Sequence, residues 1–235
     1  MTTFGGMPPE HHITIEKATL TFLRDLSRNN NRDWFEANRV RYEAAHANMI
    51  QFADALLARM GKHDRFDTAS GRKSLMRIYN DLRFHKHKPP YNPRFGGNLD
   101  RAKPALRGGY YYHVEPGRSF ISCGFFGPEP ADLKLIRTDI AYDHGTWAKL
   151  IGSKALKITF EPLAGDQVAT VPKGFAKDHP AIDLLRRKQF IFRRRFTDAQ
   201  VLSATFMADV ESSFRTVRPW FDHMSAVLTS DANGA

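Results

Sequence analysis

A chain of 235 residues, 42% hydrophobic and with 18 phenylalanines, can bury roughly 70% of the surface its unfolded form would expose, which excludes a disordered chain. No apolar run approaches the ~18 residues of a membrane span, and the lone Cys123 excludes an internal disulfide. A net charge of +10 directs attention to anionic ligands or polyanionic partners, although a basic surface also serves solubility.

Residues 1–13 hold Gly5, Gly6, Pro8 and Pro9 and are expected to form a disordered tail. Thr14 is the expected N-cap of a first helix over 15–28, with Ile15, Thr19, Phe22, Leu23 and Leu26 on its buried face. Asn29-Asn30-Asn31 breaks that helix, because asparagine side chains compete for backbone hydrogen bonds. Asn31 then caps a second helix over 32–60, whose Phe35, Tyr42, Met49 and Leu56 recur every seven residues. The short turn between the two predicts an antiparallel helical hairpin.

The middle of the chain reads differently. Residues 72–84 suggest one or two strands with a turn near Asn80-Asp81, and the proline- and glycine-rich span 85–108 an ordered loop or lid. Segments 109–114 and 120–126 flank Pro116-Gly117 and predict a β-hairpin. Pro130 opens a helix over 130–142, and 156–160 reads as a short strand. A loop over 161–181, a helix near 180–187 and a strand over 189–196 with Phe190, Phe192 and Phe196 on one face follow. Helices over 198–214 and 217–228 close the chain, and 229–235 is expected to fray. The fold class expected is α+β: a single domain over 14–228, with helices at both ends around a mainly antiparallel sheet.

Three constellations carry chemical content. The first is Arg77, Asp81, Arg83, Lys88 and Tyr91. Arginine offers a planar fork that matches carboxylate or phosphate, lysine adds a point charge, and the adjacent prolines stiffen the backbone. On a strand, Arg77, Asp81 and Arg83 share a face. The second is Tyr110-Tyr-Tyr-His113, where alternation pairs Tyr111 with His113 and Tyr110 with Tyr112. A histidine there suits general acid–base work, and Asp81 is the other candidate catalytic group. The third is Pro172-Lys173-Gly174-Phe175 with Asp178 and His179. Here glycine beside lysine lets backbone N–H groups approach an anion, and Asp178 can cap the helix that follows. Arg137 adds a further cation. Each also has a plainer reading: a solvated ladder of ion pairs, a histidine that satisfies one hydrogen bond, a helix cap.

Other chemistries find less support. The histidines His11, His12, His85, His87, His113, His144 and His179 show no metal-binding spacing. Neither Gly5-Gly6 nor Gly96-Gly97 is a phosphate-loop fingerprint, and no serine-hydrolase elbow occurs, so neither metal nor cofactor is expected. The run Arg186-Arg-Lys-Gln-Phe-Ile-Phe-Arg-Arg-Arg195 interleaves cations with aromatics, which suits nucleic acid if the rings are free and a solvated rim if they are buried.

Four motifs together resemble one family: Phe22-Leu-Arg-Asp-Leu-Ser-Arg-Asn-Asn-Asn-Arg-Asp-Trp-Phe35, Arg83-Phe-His-Lys-His-Lys-Pro-Pro-Tyr91, Gly109-Tyr-Tyr-Tyr-His113 and Pro172-Lys-Gly-Phe-Ala-Lys-Asp-His-Pro180. It is the family catalogued as domain of unknown function 2461, and the resemblance spans about residues 14–225. It implies a one-domain cytosolic protein and specifies no reaction. The reading from residues is a cytoplasmic protein with a cationic pocket for a small phosphate- or carboxylate-bearing ligand. In it, Arg77, Arg83, Lys88, Tyr91, Tyr111, Arg137, Lys173 and His179 bind, and His113 or Asp81 acts as base. Sequence-tolerant nucleic-acid binding and a scaffold role are the alternatives.

Overall fold

The first helix, α1 (Lys17–Arg28), turns Thr19, Leu20, Phe22, Leu23 and Leu26 inward in a computed structural model that describes residues 13–81, 83 and 87–229. The tail expected over 1–13 lies, except for Ile13, outside the described residues, as does 229–235 beyond Thr229. The cap differs from the expected Thr14: Glu16 is the N-cap and has no side-chain cap bond of its own. Asn48 of the neighbouring helix replaces it, its Oδ1 accepting from the Glu16 N–H at 3.0 Å and the Thr19 hydroxyl at 2.8 Å while its Nδ2 donates to the Thr14 carbonyl. A long-range side chain thus satisfies an orphan donor that a local one would otherwise take.

Asn31 does cap the next helix, accepting from the Trp34 N–H at 2.9 Å. The expected 32–60 helix is interrupted at Asn38, giving α2 (Arg32–Ala37) and α3 (Arg39–Met60). α3 packs on α1 and forms the hairpin. Where strands were expected over 72–84, the described residues form the single turn α4 (Gly71–Ser74), capped by Ser70, and then isolated bridges, Leu75 to Gly97 and Tyr79 to Tyr91. The second bridge folds the chain into an excursion closed by Asn80 N–H to Pro90 O at 2.9 Å and Asn92 N–H to Ile78 O at 2.7 Å.

Strand β1 (Phe95–Asp100) lies inside the span read as loop, and β2 (Gly109–Val114) and β3 (Phe120–Phe125) form the expected hairpin. Then come α5 (Pro130–Tyr142), α6 (His144–Ile151) and α7 (Lys154–Thr159). The last corrects the strand expected at 156–160. Leu156 and Phe160 are buried and Ile158 is 73% exposed, a spacing of four that is helical, with Ser153 capping. The chain ends with α8 (Ile182–Leu185), β4 (Phe190–Arg195), α9 (Asp198–Val201), α10 (Phe206–Thr216) and α11 (Arg218–Thr229).

The strands form one antiparallel sheet in the order β1-β2-β3-β4, in a single α+β domain. One face meets the helices: Tyr112 packs on Phe52 of α3, Tyr110 on Phe214 of α10, and Phe192 on Trp220 of α11. Both edges are guarded, β1 by the Leu75 bridge and β4 by the Ala164 bridge to Ile191, which blunts edge-to-edge association. The helices leave the opposite face uncovered, as antiparallel sheets permit.

Candidate functional site

The register determines what the uncovered face presents. Asn98 pairs with Tyr111, Tyr111 with Ser122, and Ser122 with Arg193. An amide, a phenol, a hydroxyl and a guanidinium therefore form one row across all four strands. The adjacent row runs through Asp100, Gly109, Gly124 and Ile191, and its two central glycines put no side chain above β2 and β3. That gap becomes a cavity of about 620 Å³, walled by the 101–108 loop, the 126–129 turn and the start of α5, with Tyr111, Phe120, Ser122 and Arg193 in its lining. Gly124 has a second reason to be glycine: φ is +148° and a β-carbon would stand 1.9 Å from the Phe190 carbonyl.

Tyr111 and His113 project from the same face and touch. The Tyr111 phenol is 3.0 Å from His113 Nδ1, and His113 Nε2 is 2.8 Å from Glu115 Oε2. Arg94 Nη1 donates to Tyr111 Oη at 3.0 Å, and Arg118 holds the other Glu115 oxygen at 2.6 Å. The proton positions follow from valence. A carboxylate only accepts, so Nε2 carries the imidazole hydrogen; Nδ1 then accepts, and the phenol must donate to it. Burial, the largest cause, lowers the His113 pKa against the opposing pull of Glu115, and burial likewise raises that of Tyr111 against Arg94. Both groups rest neutral at pH 7. The phenol oxygen keeps one lone pair for a further partner.

The cavity wall is held by a buried hub. Arg101 is fully buried and donates to Asp64 at 2.9 Å, to Asp222 at 2.9 Å and to the Arg107 carbonyl at 3.0 Å. The Tyr110 hydroxyl gives Asp64 another bond at 2.7 Å, and burial with Asp64 beside it pushes that phenol's pKa far up. Arg107 in turn pairs with Asp132 of α5. The lining is mixed in sign: Lys103, Arg107 and Arg193 face Asp100, Glu129 and Asp132. Arg193 lies 4.7 Å over the Phe120 ring with its Nε buried and without a hydrogen bond.

The other expected site residues lie elsewhere. Asp81 and Arg83 are exposed and hold each other bidentately at 3.0 and 2.7 Å, through a turn in which the Arg83 N–H also donates to Asp81, not as neighbours on a strand. Arg77 and Lys88 are exposed. Tyr91 is in the core, stacked on Phe35 at 3.9 Å. Arg137 donates to the carbonyls of Leu185 and Arg187, at the opposite sheet edge from Arg94. His179 accepts from the Ala181 N–H at 3.0 Å and reaches the Ala141 carbonyl at 3.3 Å; the helix that follows, α8, has Ala181 as its N-cap and no side-chain cap bond, so Asp178 does not cap it. Lys173 is exposed on the same loop. His85 lies outside the described residues. Among the described residues no group of three or more His, Cys, Asp or Glu side chains could hold a metal ion, and no helix is long and apolar enough to cross a membrane. Burial raises the Cys123 thiol pKa well above its ordinary value, which suits an inert core residue.

A family model described as "Conserved hypothetical protein (DUF2461)" matches residues 18–223. The chain belongs to this family. No curated protein and no solved structure matches it.

In this DUF2461 chain two of the recognised motifs form one packing unit. Asn30 of the first brackets Tyr91 of the second, donating to its carbonyl at 2.8 Å and accepting from its N–H at 3.1 Å. Phe35 supplies the ring on which Tyr91 stacks. The third motif supplies the site itself. Sequence reasoning missed Arg94, Glu115 and Ser122, and took Arg193 only as part of the 186–195 run read for nucleic acid. Glu115 continues the 111–113 alternation and was findable by it. Arg193 and Ser122 depend on strand register, which only the folded sheet reveals.

Proposed function

We propose that this protein binds a small phosphate- or carboxylate-bearing molecule in the cavity on the uncovered sheet face. The observation that carries the reading is Arg193, whose guanidinium carbon lies 4.7 Å over the Phe120 ring in the cavity lining with an unfilled Nε–H donor. A guanidinium fork matches a carboxylate or phosphate, and an incoming acceptor relieves a buried donor that lacks one. The cavity, about 620 Å³, is of a size that encloses small ligands. Aromatic lining from Phe125 and Phe126 favours a ligand with a flat apolar part beside its anion. This moves the expected anion site from Arg77, Arg83 and Lys88 to Arg193, keeping Tyr111 and His113. A cytoplasmic setting belongs to the same reading.

Nucleic-acid binding through the 186–195 run is less favoured. Phe190, Phe192 and Phe196 are buried, and Phe120 lies between His113, stacked at 4.5 Å, and Arg193. None of these rings is free to stack a base. A scaffold role is also less favoured: among the described residues the most exposed large apolar ones, Val40, Tyr142 and Ile158, come from three different helices. The test is calorimetric titration with phenyl phosphate and benzoate. Binding by the wild type that Arg193→Gln weakens ~10-fold or more supports the reading; equal binding by both proteins overturns it.

A further inference from the structure

We propose that Tyr111 is the reacting group of this site: its phenol oxygen bonds to an electrophilic centre of the ligand while His113 removes its proton and Glu115 holds the imidazole. This deepens the ligand reading and rests on it for the placement of the electrophile. The arrangement has the logic of an activated nucleophile, in which a weak nucleophile hydrogen-bonds to a base and a third group orients that base. Tyr111 Oη to His113 Nδ1 is 3.0 Å and His113 Nε2 to Glu115 Oε2 is 2.8 Å. The directions of the bonds are right, since the phenol donates to Nδ1 and the Nε2–H points at the carboxylate. Arg94, 3.0 Å from the phenol oxygen, stabilises the negative charge that develops there as the proton leaves. Ser119 pins Glu115 by accepting from its N–H at 3.1 Å and donating to its carbonyl at 2.9 Å, so the carboxylate is fixed from its backbone outward.

A neutral resting phenol does not count against this role. A hydroxyl whose proton is removed as the new bond forms needs a base in contact, not prior ionisation. His113 itself is too buried to meet a ligand directly, at 8% exposure, whereas Tyr111 lines the cavity. The substrate class is an ester of a small anionic compound. Tyr111 Oη attacks the acyl carbon or phosphorus, and the bond to the leaving oxygen breaks with its electron pair. His113 takes the phenol proton, and water in the open cavity protonates the departing oxygen, leaving a tyrosyl ester, an alcohol and an imidazolium paired with Glu115.

The reaction is testable without the natural ligand by using 4-(fluorosulfonyl)benzoate, whose carboxylate suits Arg193 and whose sulfur is electrophilic. Oxygen–sulfur bond formation expels fluoride, and the phenol proton goes to His113. The expected result is one arylsulfonyl group per chain, mapped to Tyr111, while Tyr142 (90% exposed) and Tyr79 (47% exposed) stay unmodified. Tyr111→Phe abolishes labelling, and His113→Gln slows it ~100-fold, with circular dichroism confirming that each variant folds. Glu115 is a positioning residue. The charged groups facing His113 are Arg94, Glu115 and Arg118, and the titratable neighbour is Tyr111. Glu115→Gln removes the pull that raises the imidazole pKa, so the labelling midpoint moves to lower pH. Labelling of Tyr142 or Tyr79 as fast as Tyr111, or an unchanged rate in His113→Gln, overturns the proposal. Neutral benzenesulfonyl fluoride separates the two readings. If it labels Tyr111 as fast as the carboxylate probe does, the anion reading fails and the relay stands. If benzoate binds but neither probe labels Tyr111, the relay fails and the anion reading stands.

Discussion

Gly96 and the Tyr111 phenol occupy one space. A β-carbon on Gly96 would stand 2.6 Å from Tyr111 Oη and 3.2 Å from Arg94 Nη1, so the missing side chain is what lets phenol, guanidinium and imidazole meet. Gly97 does the same on the other face, where a β-carbon would stand 2.2 Å from Tyr112 Oη. The two substitutions separate site from stability. Gly96→Ala displaces a ring at the cavity, cuts labelling of Tyr111 and costs about 1 kcal/mol or less. Gly97→Ala overpacks the core against Tyr112 and costs about 1–3 kcal/mol. Urea denaturation of both variants checks the order; a larger loss for Gly96→Ala contradicts it.

Arg101 and Asp64 are both fully buried in their side chains. Arg101→Met leaves Asp64 a charge without its main partner, which costs about 3–5 kcal/mol and lowers Tm by roughly 10 °C in a chain of this size. Adding Asp64→Asn to that variant recovers part of the loss, because the stranded charge is gone. Calorimetric melts of the two single variants and the double variant measure this; simple additivity counts against a coupled hub.

His46, His63 and His113 have pKa values below the ordinary 6.5, in each case chiefly through burial. The unfolded chain therefore takes up protons near pH 6.5 before the folded one does. Stability is full above that value and falls as pH drops through it toward the lowered folded values. Denaturation midpoints measured from pH 8 to pH 5 are expected to decline below about 6.5, and the decline is shallower in His113→Gln. A flat profile, or greater stability at pH 5.5 than at pH 7.5, contradicts the assignment.

Asn30 holds Tyr91 with both ends of its amide. Asn30→Asp removes the donor and sets a carboxylate against the Tyr91 carbonyl, at a cost of about 1–3 kcal/mol. The effect is local. Amide exchange of Asn80 and Asn92, which close the excursion, speeds up more than that of β2 and β3. Uniform acceleration across the sheet counts against this anchoring role.

Helix periodicity at α1 and α5, and the turn at Pro116-Gly117, were legible because their signals are local. β1 was not, because Gly96 and Gly97 look like loop residues until the Tyr111 and Tyr112 rings that fill their space are known. α7 was misread because Leu156, Ile158 and Phe160 alternate in sequence while only the first and last are buried. Thr14 lost its capping role to Asn48, a partner 34 positions away. In the candidate site, the Tyr111–His113 pair follows from strand alternation, which is a rule of adjacent residues. Arg193 and Ser122 join it through register across strands far apart in sequence. The cationic run of 77–91 drew attention by composition, yet its Tyr91 serves the core.

The direct test compares where an anion binds. Phenyl phosphate is titrated into the wild type, Arg193→Gln, and the double variant Arg83→Ala with Lys88→Ala, followed by calorimetry. The account predicts binding to the wild type, undiminished binding to the double variant, and a ~10-fold or greater loss in Arg193→Gln. Binding lost in the double variant and retained in Arg193→Gln would contradict it.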